Sequence, residues 1–181
     1  HCLYVNSGSS ALFIGVEAFN FAPGSEVITP ALTFSTSVGC LIKNHLIPVF
    51  VDVLPDQSID PDLVELAITP KTKAIMPVHL TGRMAQMDRL EEISKKFNIP
   101  IIEDAAQAIG SAYQDRPAGS WGKVGCFSTH PLKNLNACGD GGLLTTNDEE
   151  ITKYVRSIRN HGLVNRNTVE RFGYVTRMDT I

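Results

Sequence analysis

The stretch MDRLEEISKKFNIPIIEDAAQ, residues 87–107, carries the fold in miniature. Met87, Leu90, Ile93 and Phe97 recur at helical spacing, so one face of this segment is apolar. Directly after it, Ile99-Pro100-Ile101-Ile102 is apolar without alternation, as in a strand covered on both faces. The acids Glu103 and Asp104 follow where that strand should end.

Working outward, the same helix-then-strand rhythm recurs. Cys2–Val5 and Val27–Thr29 read as strands, the second after a Pro23-Gly24 turn. So do Ile47–Val53, which is rich in β-branched residues, and Ala74–Val78. Val124–Ser128 and Gly142–Thr146 complete the set. Asp148 to Arg159 is an amphipathic helix with an Asp cap. Strands alternating with helices predict a three-layer αβα domain around a mostly parallel sheet. In such sheets ligands bind beyond the carboxyl ends of the strands. A functional side chain should therefore stand just after an apolar run.

Composition narrows the classes. The chain has 181 residues, enough for one sizeable core, and 43% of them are hydrophobic. The net charge of −3 gives no basis for a nucleic-acid partner. No apolar run approaches the ~20 residues that span a bilayer. Cys2, Cys40, Cys126 and Cys138 show neither a C-x-x-C spacing nor a metal pattern, so they read as thiols in a reducing compartment, and no metal site is expected. The cytoplasm is the default location without a signal peptide. His1 is not an initiator and Arg177–Ile181 stops without a cap, so the chain reads as a piece of something longer.

Several residues pass the strand-end filter. Asp104 has two readings, a helix N-cap or a site carboxylate. Lys133 follows the Val124–Ser128 strand. A lone lysine is usually a solvated surface charge. Here its surroundings are poor in charge, and it leads into Gly139-Asp140-Gly141-Gly142, a loop that needs unusual backbone angles. A half-buried lysine loses its proton more easily and can act as a nucleophile. A lysine with an aspartate partner is what pyridoxal phosphate (PLP) requires: the amine holds the cofactor covalently, and the carboxylate keeps the ring nitrogen protonated. Asn6–Leu12 opens a helix with small residues, and a helix start of that kind suits a phosphate, with Ser9 and Ser10 as extra donors. An ordinary Ser-capped helix fits that stretch equally. Phe34 reads as core or as a stacking face, and His79 as a site residue or a satisfied core histidine. Neither a P-loop nor a G-x-G-x-x-G is present.

In order, these segments resemble the sugar aminotransferases of the DegT/DnrJ/EryC1/StrS family. The matching blocks are NSGSSAL at 6–12, GSEVITPALTF at 24–34, PVHLTG at 77–82 and IEDAAQA at 102–108. FSTHPLKNL at 127–135, GDGG at 139–142, RNHG at 159–162 and GYVTRM at 173–178 follow. The resemblance implies the aspartate-aminotransferase fold, with residues 1–181 forming an incomplete PLP-binding large domain. Both an earlier N-terminal segment and a small C-terminal domain would lie outside it. It implies that Lys133 carries PLP, Asp104 pairs with the ring nitrogen and Gln107 contacts the ring hydroxyl. Ser9, Ser10 and Ser128 would hold the phosphate, and Phe34 would stack on the ring. The implied substrates are an amino-acid donor, glutamate, and a keto-sugar nucleotide for cell-surface polysaccharide or secondary-metabolite sugars. The implied assembly is a homodimer.

Sugar dehydratases of the same family replace the lysine with histidine, so Lys133 favours transamination over that alternative. Val175 departs from the pattern, because the family often has a phosphate-contacting Asn there, donated by the neighbouring subunit. The lost hydrogen bond is expected to weaken PLP binding by about 1–3 kcal/mol. It also leaves open a non-catalytic binding or regulatory relative of the same fold.

Overall fold

A computed structural model describes residues 1–179. In chain order the elements are β1 (Cys2–Val5), α1 (Gly8–Glu17), β2 (Glu26–Pro30), α2 (Ser35–Lys43), β3 (Ile47–Val51), α3 (Pro61–Leu66) and β4 (Thr72–Ile75). A single 3-10 turn at Leu80–Gly82 leads to α4 (Met87–Phe97) and β5 (Ile102–Asp104). The hairpin β6 (Ala112–Tyr113) and β7 (Arg116–Pro117) comes next, then β8 (Val124–Ser128), β9 (Gly142–Thr145) and α5 (Glu149–Ile158). A second hairpin, β10 (Leu163–Asn165) and β11 (Thr168–Val169), closes the list of elements.

The main strands form two ladders, β3-β2-β4 and β5-β8-β9-β1. Parallel bridges from Ile75 to Ile101 and from Val78 to Asp104 join them edge to edge. The result is one continuous sheet in the order β3-β2-β4-β5-β8-β9-β1. Every neighbouring pair is parallel except the two that involve β9. The sheet is therefore mixed but mostly parallel, as the alternating pattern predicts.

Successive side chains on a strand point to opposite faces, and here each face feeds its own core. Val27, Ala74 and Ile102 join α1, α2 and α5 on one side. Their sequence neighbours Ile28, Ile75 and Ile101 join α3 and α4 on the other. Three layers follow directly from that alternation.

Two strands begin or end away from their apolar runs. The run at Ile99–Ile102 becomes β5 only at Ile102; just before it Pro100, which has no N–H to donate, pairs with β4 through its carbonyl, which accepts from Ile75 N at 3.0 Å. The run at Ala74–Val78 stops as β4 at Ile75, two residues before Pro77.

Helix α5 starts as its sequence indicates. Asp148 Oδ1 accepts from Glu150 N at 2.9 Å and Ile151 N at 3.1 Å, and Ile151, Val155 and Ile158 are buried. A hydrogen bond from Lys123, first, and the two cap bonds hold the Asp148 carboxyl below its ordinary value. A lowered folded value means stability that is present above the unfolded carboxylate range and lost as pH falls through the folded value. Asp148→Ala should cost about 1 kcal/mol in denaturant unfolding at neutral pH. Asp148→Asn keeps the cap oxygen, so its deficit should be smaller and should shrink on acidification.

Candidate active site

A cleft of about 680 Å³ opens at the carboxyl ends of the strands. Asp104, the last residue of β5, and Ser128, the last of β8, both reach it. Gln107 comes from the turn after β5, and Lys133 from the 129–141 loop. Ser9 comes from the first turn of α1, and Phe34 is the N-cap residue of α2. Six of the seven side chains singled out in the sequence thus share one cavity.

Ser10 is the exception. Ser7 caps α1 by accepting from Ser10 N at 3.1 Å, and the Ser10 hydroxyl donates to Asn6 Oδ1 at 2.6 Å. Its hydroxyl is spent inside the cap, so it does not line the cleft.

Asp104 is 4% exposed. No helix follows it, which removes the N-cap reading; the next residues form a turn in which Ala106 N donates to Asp104 Oδ1 at 3.2 Å. Ser37 Oγ donates to Oδ2 at 2.5 Å. Burial pushes the carboxyl above its ordinary value, while the Ser37 and Ala106 bonds and the charge of Lys133 oppose that push. Lys133 is half-buried and close enough across the cleft to favour the carboxylate form.

The neighbouring acid, Glu103, points the other way and is fully buried. It accepts from Gly119 N at 2.8 Å, Trp121 N at 2.8 Å, Gly122 N at 2.6 Å and His79 Nε2 at 3.1 Å. Its capacity is filled, and its work is to pin the 119–122 loop. His79 Nδ1 accepts from Ala85 N at 3.3 Å, so the ring proton sits on Nε2. Both ring nitrogens are therefore engaged, and His79 is the satisfied core histidine of the two readings.

Gly8 and Ser9 at the start of α1 and Ser128 at the end of β8 line one corner of the cleft. The start of a helix and the hydroxyls of Ser9 and Ser128 offer donors of the kind an anion takes. Glycine makes the corner possible. A Cβ on Gly8 would lie 2.6 Å from Ser128 Cβ, so only glycine lets α1 press against the end of β8. Gly139, at φ +133, takes the backbone conformation its loop required. Phe34 is 71% exposed, which rules out the core reading and leaves its ring as a wall. Gln107 Oε1 accepts from Thr81 N at 2.7 Å; this fixes the amide's orientation and leaves its NH2 group as the donor. Val175 is exposed, bridges Asn160 through its backbone and lies outside the cleft.

Sequence reasoning missed Ser37. Its signal was there: a polar residue at i with Cys40 at i+3 and Leu41 at i+4, all buried, on the inward stripe of α2.

The family model for the DegT/DnrJ/EryC1/StrS aminotransferase family matches residues 1–181. The chain belongs to that family. It is 44% identical over 180 residues to a pleiotropic regulatory protein of Geobacillus stearothermophilus, covering 99% of this chain and 48% of that one. It is 40% identical to the UDP-2-acetamido-2-deoxy-3-oxo-D-glucuronate aminotransferase of Pseudomonas aeruginosa, covering 100% of this chain and 51% of the enzyme. Among solved structures, NtdA from Bacillus subtilis with its bound cofactor PMP superposes with a TM-score of 0.91 at 35% identity, over 98% of this chain and 41% of NtdA. The chain spans about half the length of the curated relatives it matches.

The Gly8 contact is open to test. Alanine at an open helical position stabilises by up to about 1 kcal/mol over glycine. Overpacking costs about 1–3 kcal/mol. Gly8→Ala should therefore be net destabilising in chemical denaturation of the full-length protein. Gly39→Ala, in α2 with nothing within 4 Å, should stabilise. Stabilisation by both substitutions would contradict the close approach.

Proposed function

We propose that the whole protein is a PLP-dependent aminotransferase that moves an amino group from an amino acid, glutamate, to a keto-sugar nucleotide. In this reading residues 1–181 are the cofactor-binding part of its large domain, and the enzyme is a cytoplasmic homodimer. No helix among the described residues is long and apolar enough to cross a membrane.

The observation that carries the reading is that Lys133 and Asp104 line one cleft together with Gly8, Ser9 and Ser128. The residues present fit the cofactor at both ends. The Gly8–Ser128 corner, which a Cβ would close, suits a phosphate. A buried carboxylate with capacity to spare suits a protonated ring nitrogen.

PLP, when bound, supplies an aldehyde for an amine and a protonated ring that accepts electrons from a carbanion. The chain's own residues supply the rest. Lys133 Nζ would hold the cofactor and, when free, would take the proton from the donor's α-carbon. Asp104 holds the proton on the ring nitrogen. Ser9, Ser128 and the first N–H groups of α1 bind the phosphate. Phe34 would cover a ring face and exclude water from it, and the Gln107 NH2 group would donate to the ring hydroxyl.

A second reading has one specific observation behind it. The relative at 44% identity is a pleiotropic regulatory protein, which fits a non-catalytic member of the fold, and Val175 in place of the family's usual Asn points the same way. PLP titration of the intact protein separates the two.

The full-length protein mixed with PLP should show the absorbance band of a lysine-linked cofactor and transfer glutamate nitrogen to at least one of several keto-sugar nucleotides. Lys133→Ala should abolish both. A band unchanged in that variant would remove Lys133 from its role, and no binding by the wild type would favour the regulatory reading.

A further inference from the structure

Ser37 lies in the first turn of α2, three residues after Phe34, and its side chain is fully buried. A buried hydroxyl is costly unless its hydrogen-bonding capacity is used. It has two side-chain partners, Asp104 Oδ2 at 2.5 Å and Thr33 Oγ1 at 2.7 Å. An ionised carboxylate can only accept, and Ser37 has a single proton. That proton therefore points at Asp104, and Thr33 donates to Ser37. The three groups form a directed chain from Thr33 through Ser37 to Asp104. On the other oxygen the carboxylate has one longer bond, from Ala106 N at 3.2 Å.

We propose that Ser37, backed by Thr33, is the positioning residue of this site: it sets the rotation and the charge of the Asp104 carboxylate so that the carboxylate can meet the ring nitrogen of PLP. The inference rests on the PLP reading above. Neither Ser37 nor Thr33 touches the cofactor in it; both act through Asp104.

The titratable groups that face Asp104 come from four places. His79 lies on the segment after β4, Lys133 on the loop after β8, Cys40 on α2 and Cys126 on β8. Burial pushes both thiols upward, so they stay neutral near neutral pH. Lys133 favours the carboxylate form. Ser37 is the first of the interactions that oppose the effect of burial on Asp104. Without its hydroxyl, Asp104 should ionise only at higher pH. Any loss of affinity for PLP should then grow as pH falls.

The experiment uses the full-length protein and two readouts. In the cofactor-free state, carbon NMR follows the Asp104 carboxyl, assigned by its loss in Asp104→Asn. Ser37→Ala should titrate at higher pH than wild type, and Ser37→Thr, which restores a hydroxyl, should stay close to it. In the second readout PLP is titrated across pH. Ser37→Ala should bind roughly tenfold more weakly near neutral pH, the scale of one hydrogen bond to a charged group, with the gap widening on acidification.

An unchanged Asp104 titration in folded Ser37→Ala would overturn the proposal, as would a loss of affinity equal at every pH. If Ser37→Ala does not fold, Thr33→Val decides. It should shift both readouts in the same direction by less, and no shift would overturn the proposal. The two levels separate cleanly. If Asp104→Ala leaves PLP affinity unchanged, the PLP reading itself fails. If Asp104→Ala weakens binding and Ser37→Ala does not, only the role of Ser37 fails.

Discussion

Charge held out of water is costly, and β5 holds two adjacent carboxylates that meet that cost differently. Glu103, on one face, accepts four hydrogen bonds from the protein and has no capacity left. Asp104, on the other face, has two donors for a group with about four lone-pair sites. The first carboxylate is closed and structural. In the second, burial works against ionisation while Ser37, Ala106 and Lys133 oppose it, and the group lines the cleft. Such a group needs a cation to complete it. The proposed protonated ring supplies one.

The rest of the architecture serves that arrangement. Parallel strands bring the ends of β5 and β8 side by side, with Asp104 opposite Cys126 in the register and Ser128 two residues beyond. Glu103 ties β5 to the 119–122 loop from behind, which fixes the strand that carries Asp104. Gly8 lets the start of α1 touch Ser128, and both line the cleft that Asp104 lines. The 129–141 loop brings Lys133 to the same cleft, and Asn134 helps anchor that loop by donating to Ile109 O at 2.6 Å.

Much of this was legible in the chain before its structure. Continuous apolar runs marked the strands, because burial on both faces removes alternation, and the strand-end rule led to Asp104 and Lys133, whereas Ser128 came from the family resemblance. What escaped has physical causes. The reversed direction of β9 depends on how a 13-residue loop turns back, and no periodicity encodes that. Strand β5 becomes ladder only at Ile102, after Pro100, which has no N–H to donate. Ser10 and Ser9 look alike in sequence, yet the capping geometry turns one inward to Asn6 and leaves the other at the cleft. Ser37 was hidden because a serine near a helix start reads as a cap, whereas here it occupies an inward position facing an acid 67 residues away.

The claim that Asp104 is held charged for a ring nitrogen is tested most directly on that nitrogen. With nitrogen-15-labelled PLP bound to the full-length protein, NMR reports whether the ring nitrogen carries a proton. The account predicts a protonated nitrogen in the wild type that loses its proton in Asp104→Ala at the same pH. An identical protonation state in both proteins would contradict it.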